Sequence, residues 1–481
     1  MKNVLEWLEA TVEKYPDKPA FSDTESGITF RQVYDIARNT GAYLIEQLGV
    51  DRTPVAVFAG RKMVTPAYFL GVVYAGRPYA PIDASLPDKR IEKILENLCP
   101  RAIVADRESR EHVESIVDEL EKSEGFDRPQ IFIAEDISRF EQVACADSNC
   151  KISESAGDAV SDSENDTDGG VVASCAGKTD DSSRDMLAVV RRQMPMTDPL
   201  YIIYTSGSTG NPKGVMTSHL SLMTYINAYC DVMHIEESDV LGNQSPLDYI
   251  AAIRDIYLPL KTGCSTAIIP KEYFMEPNAL FDYMNDKKVS SVGWSVSAFT
   301  ILTSLGAFEE VGLKSLRKIC FSGSVMPCRV LRKWQENLPE AHFVNQYGPT
   351  EATASCTYYS VDHTVEDDEV LPIGKAYDNY RVFLIDEHGN EPAVGEQGEI
   401  CVCGPILALG YYNDPERTAA AFTLNPLNKA YPERMYRTGD YGRLDEDNIL
   451  HFCGRMDRQV KHMGHRVEPV SYTHLTLPTI A

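Results

Sequence analysis

The sequence lacks the excess of positive charge that binding to nucleic acids or to anionic membranes requires. Its 481 residues include 46 Lys and Arg against 71 Asp and Glu, which gives a net charge of −25. Negative charge of this size repels phosphate backbones and anionic lipid headgroups. We therefore expect no nucleic acid and no membrane among the partners of this protein.

Long apolar runs are also missing. The longest, such as 67–75, fall well short of the roughly 18 residues that cross a bilayer. The first residues interleave acids with apolar side chains, unlike a secretory signal. The 12 cysteines are scattered, with Cys401 and Cys403 as the one close pair, a pattern that suits neither a zinc knuckle nor a disulfide framework. Together these features favour reduced thiols and a cytoplasmic location.

Helical and strand patterns alternate along most of the chain. Apolar residues recur at spacings of three and four over 30–48, which predicts an amphipathic helix, and a short apolar strand follows at 54–58. Further helices are expected at 65–74, 218–233, 278–286 and 296–305, and further strands at 101–105, 200–204, 266–269 and 318–321. This alternation predicts an α/β fold of layered β-sheets with packed helices.

Composition divides the chain into regions. We assign 1–372 to an α/β body, interrupted at 146–185 by an acidic segment rich in Ser, Asp and Gly. Such a segment buries too little apolar surface to offset the entropy of ordering it, so we predict a flexible, solvated insertion. Short strands and turns over 373–456 predict a smaller β-rich, barrel-like subdomain.

The strongest chemical signal is a strand that runs into a polar loop over 201–214, reading Tyr-Ile-Ile-Tyr-Thr-Ser-Gly-Ser-Thr-Gly-Asn-Pro-Lys-Gly. Glycines let backbone N–H groups approach an anion, hydroxyls donate hydrogen bonds and lysine adds positive charge. The candidate phosphate-binding residues are Thr205, Ser206, Gly207, Ser208, Thr209, Gly210 and Lys213. Because lysine precedes the last glycine and no Gly-Lys-Ser/Thr unit occurs, the loop is not a Walker-type P-loop.

This loop resembles the signature of the adenylate-forming superfamily, which includes acyl-CoA synthetases, luciferases and the adenylation domains of peptide synthetases. Other segments resemble the family's motifs in the family's order, over residues 1–469 apart from the insertion. They are the early core motif at 76–83, the adenine and magnesium motif at 345–351, the ribose motif at 436–440 and the hinge motif at 454–461. The resemblance implies an acetyl-CoA synthetase-like fold, with 1–372 as the body of an AMP-binding domain.

The resemblance also implies a set of residues that bind ATP and Mg²⁺. Those for the nucleotide, besides the signature loop, are Asn345, Gln346, Tyr347, Gly348, Pro349, Thr350, Asp440 and Arg455. Tyr347 offers a flat face to adenine and Asn345 an amide to its edge. Asp440 can accept both ribose hydroxyls, and Glu351 is a hard oxygen ligand suited to magnesium.

The implied reaction is attack by a carboxylate on the α-phosphate of ATP, with pyrophosphate leaving. Two anions must meet, so the main task is charge neutralisation and positioning, which falls to Lys213, Thr350 and Glu351 as the candidate catalytic residues. The nucleophile is already ionised at neutral pH and needs no general base. We therefore expect His219, His342 and His451 to be structural.

Within the family, segments 319–327 and 345–354 resemble D-alanine:carrier-protein ligases and peptide-synthetase adenylation domains. This likeness implies an amino acid substrate and a carrier protein with a phosphopantetheine thiol as partner. Such relatives hold the substrate ammonium with an aspartate. A gapless alignment puts Ile250 in that place, whereas a shift of two residues would put Asp248 there. Ser322 and Ala354 are candidate pocket-wall residues, with structural packing as an equal alternative.

Relatives continue past the hinge into a lid domain, and Asp457 matches the hinge position. We assign 457–469 to the hinge and the start of the lid, and 470–481 to a tail that resembles nothing in the family. As written, the chain is expected to bind ATP but to catalyse weakly or not at all. Two alternatives stay open: an aryl- or acyl-CoA synthetase that accepts a simple small carboxylic acid, and an inactive ATP-binding module without the catalytic lid.

Overall fold

The computed structural model describes residues 2–58, 60–123, 125–139, 181–206, 211–455, 460–462 and 465–467. Most of the predicted insertion, the predicted hinge residue Asp457 and the predicted tail lie outside the described residues, as do Gly207, Ser208, Thr209 and Gly210 of the signature loop. None of the described helices combines the length and apolar character that a bilayer crossing needs.

Helices and strands alternate along the described chain as the sequence predicts. The α-helices are α1 (Leu5–Lys14), α2 (Phe30–Leu48), α3 (Thr65–Tyr74), α4 (Asp88–Leu98), α5 (Arg110–Leu120), α6 (Ala134–Arg139), α7 (Asp181–Gln193), α8 (His219–Met233), α9 (Ile253–Thr262), α10 (Pro277–Asp286), α11 (Val296–Ser304), α12 (Cys328–Asn337) and α13 (Pro415–Ala421). Short 3-10 turns lie at Ile250–Ala252, Lys271–Met275 and Thr350–Ala352. The strands are β1 (Pro19–Ser22), β2 (Gly27–Thr29), β3 (Val55–Phe58), β4 (Tyr79–Pro81), β5 (Ala102–Ala105), β6 (Gln130–Ile133), β7 (Pro199–Thr205), β8 (Lys213–Ser218), β9 (Val240–Asn243), β10 (Ser265–Ile268), β11 (Ser291–Ser295), β12 (Lys318–Ser322), β13 (His342–Tyr347), β14 (Thr357–Val361), β15 (Lys375–Ala376), β16 (Arg381–Ile385), β17 (Gln397–Cys403), β18 (Gly410–Tyr411), β19 (Phe422–Leu424), β20 (Arg434–Leu444), β21 (Leu450–Arg455), β22 (Val460–His462) and β23 (His465–Val467).

The helix predicted over 30–48 is confirmed, and its local sequence explains its start. The Thr29 hydroxyl oxygen accepts from the backbone N–H of Gln32, and Oε1 of Gln32 accepts from the backbone N–H of Thr29. These two bonds form a capping box. The next helix lies close against it, because a Cβ on Gly71 would come within 2.5 Å of the Thr40 side chain. Helix α7 begins at Asp181, so it includes the last residues of the stretch assigned to the insertion. Its buried Leu187 and Val190 pack into the core, which stabilises the helix.

One sheet carries the signature loop. Its strand order is β18-β8-β7-β4-β3-β5-β6 within the described chain. The strands from β7 to β6 run parallel, and β8 returns antiparallel to β7. Parallel strands covered by helices on both faces are typical of α/β proteins, whose ligands bind beyond the carboxyl ends of the strands. The loop that follows Thr205 leaves β7 at such an end, and Lys213 faces Thr205 in the hairpin register.

A second sheet carries the predicted adenine motif. Its order is β15-β14-β13-β12-β11-β9-β10-β1-β2, and its central strands from β13 to β1 are parallel. Ser322 at the end of β12 lies beside Gln346 on β13. The predicted pocket-wall and adenine residues therefore share one edge of this sheet, again at the carboxyl ends of parallel strands.

The third sheet confirms the smaller β-rich subdomain. Strands β16, β17, β20, β19 and β21 pair antiparallel over residues 381–455, inside the range predicted for it. Asp440 on β20 lies directly opposite Arg455 on β21. Cross-strand neighbours of opposite charge stabilise a sheet, and here the pair is formed by two of the residues implied for the nucleotide.

Candidate active site

A buried ion pair lies where the predicted phosphate-binding strand meets the predicted magnesium motif. The Nζ of Lys213 lies 2.6 Å from Oε1 of Glu351, and the hydroxyl of Tyr411 donates to the same oxygen at 2.7 Å. Lys213 also donates to the Tyr411 hydroxyl at 3.2 Å, which closes a triangle. The Lys213 side chain is 8% exposed and that of Glu351 is 0% exposed. The structure thus joins two of the predicted catalytic residues in one buried cluster.

Three separate elements supply this triangle. Lys213 opens β8, Glu351 lies in the turn Thr350–Ala352 and Tyr411 ends β18, which pairs with β8. The third predicted catalytic residue, Thr350, is buried in the same turn. Burial and the neighbouring Glu351 charge raise the pKa of Tyr411, so its phenol remains a neutral donor to the carboxylate.

The predicted adenine and ribose residues also meet. The hydroxyl of Tyr347 donates to Oδ2 of Asp440 at 2.5 Å, and Nη1 of Arg455 lies 2.6 Å from Oδ1 of the same carboxylate. Burial and the Asp440 charge raise the pKa of Tyr347, which keeps the phenol protonated and donating. Tyr347 and Arg455, from two separate sheets, therefore converge on one buried aspartate.

The chain around Tyr347 is held in a narrow space. The Asn345 amide donates to the carbonyl oxygen of Pro372 at 2.8 Å, so part of its bonding capacity serves the fold. A Cβ on Gly348 would lie 2.5 Å from the Cα of Ser355, which leaves room for glycine alone. Pro349 then precedes the Thr350–Ala352 turn as its N-cap residue.

Gln346, which the resemblance implies for nucleotide binding, has side-chain contacts away from Tyr347 and Asp440, and its role stays a prediction. Its side chain lies on the opposite face of β13 from Tyr347, because successive residues of a strand alternate. Its amide nitrogen donates to the Tyr377 hydroxyl at 2.7 Å, and its amide oxygen accepts from the Cys320 thiol at 3.3 Å. The Gln346 side chain therefore faces Cys320 and Tyr377 on one side of the sheet, whereas Tyr347 faces Asp440 on the other.

The described part of the signature loop has one feature that suits an anion. Thr205 is buried, and its hydroxyl has no hydrogen-bond partner among the residues that the structure describes. A buried hydroxyl without a partner is costly unless a ligand supplies one. Ser206 follows it at the strand end and is half-buried. The role of both residues in phosphate binding stays a prediction.

The family model for AMP-binding enzymes matches residues 8–412. This chain belongs to that family. A D-alanine–D-alanyl carrier protein ligase of Bacillus cereus (strain ATCC 10987 / NRS 248) is 30% identical over 473 residues, which cover 98% of this chain and 82% of that protein. The corresponding ligase of Bacillus anthracis is 29% identical over the same coverage. As a member of this family, the protein is an adenylate-forming ligase.

Solved structures show the same fold. The artificially fused adenylation–PCP di-domain NpsA-ThdA from Klebsiella oxytoca superposes with a TM-score of 0.75 at 19% identity, over 98% of this chain and 83% of that one. The nonribosomal peptide synthetase FmoA3 gives 0.73 at 23% identity, over 94% of this chain and 42% of that chain. The predicted layered α/β architecture with a smaller β-rich subdomain is therefore confirmed.

In this AMP-binding enzyme, Glu351 suits the magnesium that the family implies. No three His, Cys, Asp or Glu side chains cluster among the described residues in a way that could cage a metal. Magnesium is commonly held by one or two carboxylates together with the phosphates of the nucleotide. The buried Glu351 carboxylate beside Lys213 is a ligand of that kind, and Thr350 in the same turn is the residue implied for the α-phosphate.

The residues predicted to contact the acid lie in two places. Ser322 is half-buried at the end of β12, and Ala354 is half-buried with a φ of 74°. Asp248 lies beside Asp83 instead, and burial together with that second charge raises its pKa to about 6. Ile250, which the gapless alignment puts in the ammonium-binding place, is buried in the apolar core. The ammonium-binding role of Asp248 stays a prediction.

Sequence reasoning missed Tyr411 and Arg254. Tyr411 lies in the two-residue strand β18, where no chemical motif marks it. Arg254 lies within an apolar stretch of the sequence, where an arginine is unusual because buried charges need partners. That unusual placement was the available signal.

Proposed function

We propose that this ligase uses ATP to convert a small carboxylic acid, in the leading case an amino acid, into an acyl-adenylate with release of pyrophosphate, for later transfer to the phosphopantetheine thiol of a carrier protein. The observation that carries the proposal is the convergence of Lys213–Glu351 and Tyr347–Asp440–Arg455 on the consecutive segment 345–351. One end of that segment then holds the base and ribose, and the other end holds the phosphates.

The charges of the site fit this reaction. Attack of a carboxylate on a phosphate brings two anions together, and a buried lysine stabilises them more strongly than it would in water. Lys213 contacts the phosphates and Thr350 bonds the α-phosphate, while Glu351 would hold Mg²⁺, which when bound neutralises further phosphate charge. Asp440 orients the ribose, and Tyr347 packs against the base.

The acceptor and the acid are supported by the relatives. The curated proteins at 29–30% identity act, by name, on D-alanine and a D-alanyl carrier protein, and one structural neighbour is fused to a PCP domain. The buried Ile250 favours the second candidate, a ligase for an acid without an α-amino group, because an ammonium there would lie unpaired in apolar surroundings. Acyl- and aryl-CoA synthetases use such acids.

Calorimetry with ATP, in the presence and absence of Mg²⁺, tests nucleotide binding directly. We expect saturable, magnesium-dependent heat with the wild-type chain, and at least a ~10-fold weaker Kd for Lys213→Met, since a hydrogen bond to a charged group contributes about 1.5–3 kcal/mol. Lys318→Met is the matched control, because Lys318 forms an ion pair of the same length, 2.6 Å, with the buried Asp239. It should leave the ATP affinity as it is.

ATP–pyrophosphate exchange then identifies the acid. Exchange that depends on an amino acid supports the carrier-protein ligase, and exchange with simple acids followed by CoA thioester formation supports the second candidate. A folded protein that binds no ATP, or a Lys213→Met variant that binds ATP as the wild type does, contradicts the proposal.

A further inference from the structure

Behind the adenine strand lies a buried polar cluster that the proposed chemistry does not use. Its members are Tyr225, Tyr229, Arg254, Cys320, Gln346, Ser355, Tyr377 and Tyr380. Short contacts link them: the Tyr229 hydroxyl donates to the Cys320 thiol at 3.5 Å, and the rings of Tyr225 and Tyr229 lie 5.9 Å apart. Gln346 connects the cluster to the next residue in the strand, Tyr347 of the nucleotide site.

Arg254 is the one cation of this cluster, and its side chain is 2% exposed. Its Nε has no hydrogen-bond partner among the described residues. The one carboxylate within 4 Å in that part of the chain is its neighbour Asp255, at 3.7 Å from Nε, which is beyond hydrogen-bonding distance. The guanidinium also lies 5.9 Å from the centroid of the Tyr229 ring and interacts with the Tyr225 hydroxyl, so Nε is the donor that a ligand would have to satisfy.

Asp255 does not fully neutralise Arg254. Its Oδ2 accepts from the Asn243 amide at 2.9 Å, and Arg61, which binds the same asparagine, also lies close enough for its charge to act on Asp255. Two guanidinium groups thus share one buried carboxylate. Burial raises the pKa of Asp255 to about 6, which lowers its negative charge further in mildly acidic solution.

The neighbours of Arg254 offer further donors to an anion. The hydroxyl of Tyr380 is buried and has no hydrogen-bond partner among the described residues, and the buried hydroxyl of Tyr225 interacts with Arg254 and Ser355. Burial raises the pKa of Tyr225 to about 12, and the Arg254 charge opposes this rise, which places the two groups close together. Both phenols therefore stay protonated and can donate.

The backbone makes room for the guanidinium at Gly293. A Cβ on this residue of β11 would lie 2.2 Å from Nε and 2.3 Å from Cζ of Arg254. The space that a side chain would fill on this strand is occupied by the charged group instead. The cluster also adjoins the nucleotide site, because Ser355 lies against Gly348.

We propose that Arg254 recognises a second carboxylate on the acid, so that the enzyme activates a short dicarboxylic acid or an acidic amino acid through the carboxylate at the other end. This inference rests on the proposed adenylate-forming function and names its substrate class. Arginine presents parallel N–H donors that match a carboxylate, and the Tyr380 hydroxyl, together with the Tyr225 hydroxyl beside the guanidinium, completes the anion site. An alternative is that Arg254 only stabilises the fold through Asp255.

Binding of two acyl-sulfamoyladenosines, measured by calorimetry, tests the inference. The succinyl and butyryl compounds differ only in a carboxylate that replaces a methyl group. We expect the wild-type chain to bind the succinyl compound about 100-fold more tightly, because the apolar analogue leaves the buried charge unpaired. Aspartyl and 2-aminobutyryl compounds repeat the comparison with an α-amino group and show whether the acid is an amino acid.

Two substitutions locate the discrimination. Arg254→Met should remove the preference for the succinyl compound, and Arg254→Lys should keep only part of it, because lysine lacks the planar pair of donors. Arg77→Met is the matched control: Arg77 is fully buried and paired with Asp51 away from the cluster, so this variant should keep the preference. A thermal melt and an ATP titration on each variant separate a folding defect from lost recognition of the acid.

The outcomes distinguish this inference from the proposed function. Equal affinity of the wild-type chain for the two compounds, with ATP still bound, overturns the role of Arg254 and leaves adenylation standing. A preference that survives in Arg254→Met assigns Arg254 to the fold. Failure of ATP and of every adenylate analogue to bind contradicts the proposed function itself. The comparison on the wild-type chain needs no variant, so it decides the matter even if Arg254→Met does not fold.

Discussion

The Lys213–Glu351 pair should be strongly coupled in the free energy of unfolding. Both side chains are almost fully buried, and Nζ of Lys213 lies 2.6 Å from Oε1 of Glu351. Removing one partner of such a pair leaves an uncompensated charge in the interior. Lys213→Met should therefore destabilise the protein by about 3–5 kcal/mol, and Glu351→Gln by a similar amount. The double variant leaves no charge, so its cost should lie well below the sum of the two.

The size of the coupling follows from this reasoning. If each single change costs about 3 kcal/mol and the double change about 3 in total, the coupling energy is about 3 kcal/mol, at the upper end of values for residues in contact. Equilibrium urea unfolding, followed by tryptophan fluorescence, measures it, provided that the slope of the transition stays the same in all variants.

A second cycle on Lys318 and Asp239 serves as the control, since that pair has the same length but a Lys318 side chain 12% exposed. This cycle should show a coupling energy of the same sign, and its variants should bind ATP with the affinity of the wild type. Additive costs for Lys213→Met and Glu351→Gln, or a cost below about 1 kcal/mol for either, would refute the buried ion pair.

Two further predictions concern the strand end and the response to acid. Gly348→Ala should lower ATP affinity at least ~10-fold, because its Cβ would lie within 2.8 Å of the backbone of 354–356, whereas Gly312→Ala, with nothing within 4 Å, should bind ATP like the wild type. Burial, aided by Arg52, lowers the pKa of His219 to about 3, so the stability due to its neutral form is present above about pH 6.5 and is lost as the pH falls toward 3. His219→Asn, which can still accept from the backbone N–H of Val4, should therefore lose less Tm than the wild type between about pH 7 and about pH 5, and an equal loss would contradict this account.

Local sequence predicted the regular elements well. The helix over 30–48 and the strands near 200–204 and 318–321 agree with the structure to within a residue or two, because apolar periodicity and capping are properties of neighbouring residues. The strand β8 was not predicted. It follows the signature loop and pairs back on β7, so its conformation depends on a partner that lies beyond any local window.

The site was predicted in its parts and not in its contacts. Motif order indicated that Lys213, Glu351, Tyr347 and Asp440 belong together, and the structure brings them into two bonded groups. Tyr411 escaped notice because its role comes from the pairing of β18 with β8, which no spacing in the sequence reveals. The contacts of Gln346 with Cys320 and Tyr377 could not be predicted, because a motif names residues without saying which face of the strand each side chain uses.

The alternation of β13 connects the two proposals. Tyr347 turns toward Asp440 on one face, and Gln346 turns toward Cys320 and the Arg254 cluster on the other. The side chains on the first face can then stay the same in all enzymes that bind ATP, because the nucleotide is the same. The residues behind the strand can differ between enzymes that activate different acids. A relative at about 30% identity can keep the first set and differ in the second, so likeness to D-alanine ligases identifies the reaction more firmly than the acid. Arg254 and Ile250 are the two residues from which we expect the choice of acid in this enzyme to follow.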